Sequence, residues 1–160
     1  MDQIVYREMR DDEEGTVCDL VRQVFDEFVA PDYGPEGIKE FFRYANPGAL
    51  RERVEAGGFV LVADKSNQLV GMLEFAPPDR VALLFVILRH QGIANELLER
   101  AICRLQTAQL PISKLTVHSS PYAELIYEKM GFHRSGGATT DHGITYVPME
   151  RDLASTALSM

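Results

Sequence analysis

The stretch Leu84-Phe85-Val86-Ile87-Leu88-Arg89-His90-Gln91-Gly92-Ile93-Ala94-Asn95-Glu96-Leu97-Leu98 carries the clearest chemistry in this chain. An apolar strand runs almost directly into a helix through a turn that contains Gly92 and the small Ala94. A helix start leaves its first backbone N–H groups without intrahelical partners. Those amides and the helix dipole suit an anion such as a diphosphate, and small residues let it approach the main chain. The same residues also suit a plain tight turn. A second candidate is Glu74, a carboxylate on an otherwise apolar strand, with Val70 and Met72 expected on its own side. It is either a desolvated group of raised pKa reaching a cleft, able to take a proton, or a strand-end glutamate in water. The histidines His90, His118, His133 and His142 form no metal-ligand spacing, and neither do Cys18 and Cys103, so no metal is expected. His118 reads as a strand residue unless it faces a cleft.

The elements that must position these groups follow from hydrophobic period. Ile4 to Met9 reads as a strand, and Val17, Leu20, Val21, Val24, Phe25 and Phe28 step by three and four along a helix. Pro31 to Pro35 breaks the chain, and Pro35 opens a second helix carrying Ile38, Phe41, Phe42 and Ala45. A short helical piece with Leu50 and Val54 follows Pro47 and ends at Gly57-Gly58. Apolar runs at Phe59 to Ala63, Leu69 to Ala76 and Val81 to Ile87, with short links, predict an antiparallel meander. Then come a helix with Ile93, Leu97, Leu98, Ala101, Ile102 and Leu105, a strand at Lys114 to His118 and a helix from Pro121 to Met130. A final hairpin from Phe132 to Glu150 turns near Asp141-His142-Gly143. The order is β-α-α-β-β-β-α-β-α-β-β, an α/β fold of the mixed α+β kind. It predicts a mostly antiparallel mixed sheet of about seven strands with four helices.

The 160 residues fit one domain spanning 1–160, and 46% apolar with 25% charged residues is an ordinary globular balance. Only 16 Lys and Arg stand against 24 acids, a formal charge of −8, which argues against nucleic acid. That charge is easier to reconcile with a cationic substrate, although acidity for solubility alone explains it as well. There is no leader and no bilayer-length apolar run, so a cytoplasmic protein with no membrane partner is expected.

Arg89-His90-Gln91-Gly92-Ile93-Ala94 reads as Arg/Gln-x-x-Gly-x-Gly/Ala, and on this motif the chain resembles the GNAT superfamily of N-acetyltransferases. Leu115 to Ala123, then Tyr127-Glu128-Lys129-Met130-Gly131-Phe132, is similar to that family's fifth strand, following helix and Tyr-x-x-x-Gly-Phe ending. The element order coincides too, so the resemblance covers nearly the whole chain, least diagnostically in its N-terminal third. One departure is the short apolar Ile87-Leu88, where family members place a few more residues before the glycine turn.

The resemblance implies acetyl-coenzyme A as cosubstrate and transfer of its acetyl group to a primary amine, on a small molecule or a peptide, by direct attack. The amides of Gln91, Gly92, Ile93, Ala94 and Asn95 would hold the pyrophosphate, with Arg89 as a charged supplement. Phe85, Val86 and Ile87 would pair with the pantetheine arm where the fourth and fifth strands part, and Ser119 would contact it or order a water. Tyr127 would be the acid for the leaving thiolate. An alkylammonium has a pKa near ~10.4, so a base is needed, and Glu74 is the candidate. Phe28, Tyr33 and Tyr44 would shape the acceptor pocket. The alternative is a non-catalytic acyl-coenzyme A-binding or protein-interaction domain of the same fold. A nucleotide enzyme would need Gly-x-x-x-x-Gly-Lys or Gly-x-Gly-x-x-Gly, and both are absent. An edge of the C-terminal hairpin would suit pairing into a homodimer.

Overall fold

A computed structural model describes residues 3–87, 92–108 and 112–153. Among them, eight strands and five α-helices alternate. They are β1 (Ile4–Glu8), α1 (Glu14–Val24), α2 (Pro35–Tyr44), α3 (Pro47–Glu55), β2 (Phe59–Lys65), β3 (Gln68–Ala76), β4 (Arg80–Val86) and α4 (Ile93–Gln106). The rest are β5 (Lys114–Ser119), α5 (Glu124–Lys129), β6 (His133–Arg134), β7 (Thr139–Asp141) and β8 (Ile144–Asp152). The mixed, mostly antiparallel architecture matches the expectation, with one helix and one strand more. The added helix is α3, a complete element because Asn46 Oδ1 accepts from Ala49 N at 3.0 Å and Pro47 occupies its first turn.

The sheet runs β1-β2-β3-β4-β5-β8-β6, with β7 paired to β8. All neighbours are antiparallel except β4 and β5. The C-terminal hairpin turns as the sequence predicts: Asp141 pairs with Ile144, and His142 and Gly143 take φ of 52° and 79°, the left-handed pair a two-residue turn demands.

Two apolar layers flank the sheet. On one face α4 and α5 bury Ile93, Leu97, Leu98, Ala101 and Tyr127 against Leu73, Leu115 and Val117. On the other, α1 and α3 bury Val17, Val21 and Leu50 against Val60, Val62, Met72 and Leu83. Gly71 lets α4 lie close, since a Cβ there would stand 3.0 Å from Ile93 Cγ2 and 3.3 Å from Leu97 Cδ1.

Two bulges redirect side chains. Ala63 pairs with Gly71 but Asp64 with Leu69, so Val70 is the extra residue and packs in the α4 layer, opposite Met72. The expectation that Val70 shares Glu74's face fails for that reason. Between Glu74↔Leu83 and Phe75↔Val81, Ala82 is likewise extra, at the place where β4 begins to leave β5.

Candidate functional site

β4 and β5 pair only at Arg80↔Thr116 and Val81↔Val117. The junction is tied by Asp79, whose carbonyl accepts from Thr116 N at 2.8 Å. Beyond Val81 the strands part, and a cavity of about 450 Å³ opens between them. Ile87 N donates to Val70 O at 2.8 Å, so its peptide group faces β3. Peptide groups alternate along a strand, hence Phe85 faces β3 as well, whereas Leu84 and Val86 turn their main-chain groups to the gap.

Gly92 heads α4 at the end of this gap. Its φ of 71° is the left-handed conformation that favours glycine, and a Cβ there would meet open space. No side chain among the described residues caps the helix. The first-turn amides of Ile93, Ala94 and Asn95 therefore stand at the cavity with the positive end of the helix dipole behind them. These features fit a diphosphate-bearing coenzyme whose arm lies strand-like between β4 and β5.

Of the residues singled out by sequence, Phe85, Val86, Gly92, Ile93, Ala94, Asn95, Tyr127, Phe28 and Tyr33 line the cavity. Arg89 and Gln91 lie outside the described residues. Ile87 packs in the α1 layer. Ser119 is fully buried and its hydroxyl donates to Ser120 O at 2.8 Å, so it is Ser120 that reaches the cavity. Tyr44 stands away from it, its ring 3.6 Å from the Arg53 guanidinium.

Glu74 is the largest departure. It is fully buried on the α3 side of the sheet and does not line the cavity. Both its oxygens accept from Arg53, from Nε at 2.7 Å and Nη2 at 3.0 Å. A carboxylate held this way joins sheet to helix rather than meeting a substrate, so the structure does not bring the expected base to the site.

Tyr127 lies on α5, its ring edge-on to Phe132 at 5.4 Å. Burial pushes its phenol well above the ordinary tyrosine value, so it stays protonated at neutral pH. His118, on β5, does line the cavity, the condition on which the sequence left its role open. Its ring stacks on Tyr146 at 4.2 Å. Desolvation first, then the positive charge of Arg80, lowers its pKa below the ordinary histidine value, so the neutral imidazole prevails at pH 7. Alternation along β5 separates it from the buried Val117 and could have placed it on the open face.

The apolar lining that follows α1 has a local cause. After α1 the chain widens through a π-type turn, Phe25–Val29, and a 3₁₀ turn, Ala30–Asp32, before α2. That widening brings Val24, Phe28 and Val29 to the cavity together.

A family model described as an acetyltransferase (GNAT) domain matches residues 29–153. No curated protein gives a significant sequence match. Among solved structures, the chain is similar to an N-acetyltransferase from Rhodopseudomonas palustris, at 19% identity and a TM-score of 0.79 over 96% of this chain and 98% of that one. It is similar at 18% identity to the PaiA N-acetyltransferase from Thermoplasma acidophilum in complex with coenzyme A, with a TM-score of 0.79 over 94% and 99% of the two chains. An aminoglycoside 6′-N-acetyltransferase complexed with coenzyme A aligns at 13% identity and a TM-score of 0.67, over 92% and 96%. These likenesses establish the fold, and the family match over most of the chain establishes kinship: this chain belongs to the GNAT acetyltransferases.

Proposed function

We propose that this chain transfers an acetyl group from acetyl-coenzyme A to a primary amine by direct attack in a ternary complex, in the cytoplasm. The observation that supports it best is the parting of β4 from β5 beside the uncapped start of α4. When bound, the coenzyme supplies a thioester: its C–S bond breaks as a C–N bond forms, and the sulfur leaves as a thiolate. The chain's own residues do the rest. Amides at Gly92 to Asn95 hold the diphosphate. The main-chain groups of Leu84 and Val86 align the pantetheine arm, and an N–H in that row stabilises the carbonyl oxygen as charge gathers on it. Tyr127, kept protonated by burial, gives its proton to the departing sulfur, and the second proton shed by the acylated nitrogen restores the phenol. His118 takes the amine's proton and, being exposed on one side, releases it to solvent.

Isothermal titration with acetyl-coenzyme A tests the foundation. Binding in the micromolar range is expected, and no heat at millimolar coenzyme would remove the reading.

A further inference from the structure

We infer that the acceptor is an apolar monoamine with an aromatic body, an arylalkylamine rather than a polyamine or an aminoglycoside; this rests on the acetyl transfer proposed above and names its substrate. The cavity is lined by the rings of Phe28, Tyr33, Phe41 and Tyr122, with Phe85 on β4 among them. Each is only half-buried, so apolar ring surface is turned to the open space. The rings are fixed by one another. Phe41 stacks on the fully buried Phe25 at 4.0 Å and 13° and meets Phe85 edge-on at 5.9 Å, while Phe28 lies 5.4 Å from Tyr122 at 18°. A planar ring entering this space meets apolar rings whose positions are already fixed by their mutual packing, so little further ordering is needed.

The charge around the cavity decides between amine classes. No carboxylate lines it among the described residues, and Leu88 to Gln91, which lie outside them, include no acid in sequence. The ionisable groups that do line it are Lys129, His118 and the tyrosines. The acids among the described residues therefore stand elsewhere. A polyamine or an aminoglycoside carries further ammonium groups, each of which would lose water here without a counter-ion. A monoamine gives up its single charge to His118 on the way to reaction and leaves an apolar body on the rings.

Initial rates of coenzyme thiol release, with 2-phenylethylamine, spermidine and kanamycin as acceptors, test this. We expect kcat/KM for 2-phenylethylamine to exceed both others by about tenfold or more, the scale that burying a phenyl ring provides. Phe28→Ala should raise the KM for 2-phenylethylamine about tenfold, and a thermal shift of the coenzyme-bound protein by 2-phenylethylamine, not by spermidine, reports binding without turnover. Faster turnover of spermidine or kanamycin would overturn the inference while supporting acetyl transfer. Coenzyme binding with thiol release from none of the three, and a shift by 2-phenylethylamine alone, would keep the amine class and remove the transfer. No shift by 2-phenylethylamine and no turnover of it would overturn the inference outright.

Discussion

Glu74 and Arg53 form a two-pronged ion pair across the sheet-to-α3 boundary, Oε2 to Nε at 2.7 Å and Oε1 to Nη2 at 3.0 Å. Arg53 also donates to Tyr44 O at 2.7 Å and lies over the Tyr44 ring, so the ends of α2 and α3 are fastened to β3 through one guanidinium. Removing either partner strands a charge in the interior. Arg53→Met should lower stability by about 3 kcal/mol in urea denaturation. Glu74→Gln, assayed on folded protein, should keep kcat within about threefold. A loss of a hundredfold or more in folded Glu74→Gln would restore the carboxylate as the proton acceptor.

Gly92 carries a backbone conformation and a ligand position at once. With φ at 71° and open space where a Cβ would go, Gly92→Val introduces backbone strain without a core clash. A matched control is Gly57→Ala, at φ 117° beyond the end of α3 and away from the cavity. Both variants should lose about 1–2 kcal/mol of stability. Only Gly92→Val should weaken coenzyme binding, by about tenfold or more in titration calorimetry. Equal affinities in the two variants would dissociate this turn from the diphosphate.

How much of this was legible beforehand differs by element. Helices α1, α2 and α4 declare themselves through an uninterrupted period, and strands β2 to β4 through apolar runs bounded by turn residues. The turn at Gly92 was legible through the motif from Arg89 to Ala94, since small residues between a strand and a helix equally suit a plain tight turn. Glu74 was misread for two physical reasons. The extra residue Val70 breaks the alternation that was used to assign its face, and its partner Arg53 lies 21 positions earlier on a helix with no pattern announcing the contact. Ser120 takes the place expected of Ser119 because the side chain of a strand's last residue depends on how the chain leaves the sheet. Of the aromatic lining, Phe28 and Tyr33 are expected from the resemblance but Tyr122 is not, because it lies far from Phe28 in sequence and the two rings meet only through the fold.

Tyr127 is the group whose ionisation burial suppresses. Tyr127→Phe removes only the hydroxyl and keeps the ring against Phe132, so folding and coenzyme affinity should hardly change. Turnover should fall by about a hundredfold, the usual scale for losing a positioned acid. Because desolvation raises the phenol above the ordinary value of 10.0, no loss of activity from its ionisation is expected below pH 10. Full turnover in the variant would assign the thiolate's proton to another source.

His118 supplies the pH dependence on the acid side. An imidazolium cannot accept a proton, so kcat/KM should fall as pH drops through the histidine's pKa. Desolvation and Arg80 place that pKa below 6.5, and the ring stacks on Tyr146 of β8. In His118→Gln the acidic limb should disappear, leaving only the rise due to the amine's own deprotonation, and the plateau should drop by about tenfold to a hundredfold. His118→Gln removes the ring from Tyr146 as well, so a pure packing role would lower stability while leaving the shape of the profile intact. Rate profiles between pH 5 and 9, corrected for folded fraction, separate these outcomes, and an unchanged acidic limb would exclude His118 as the proton acceptor.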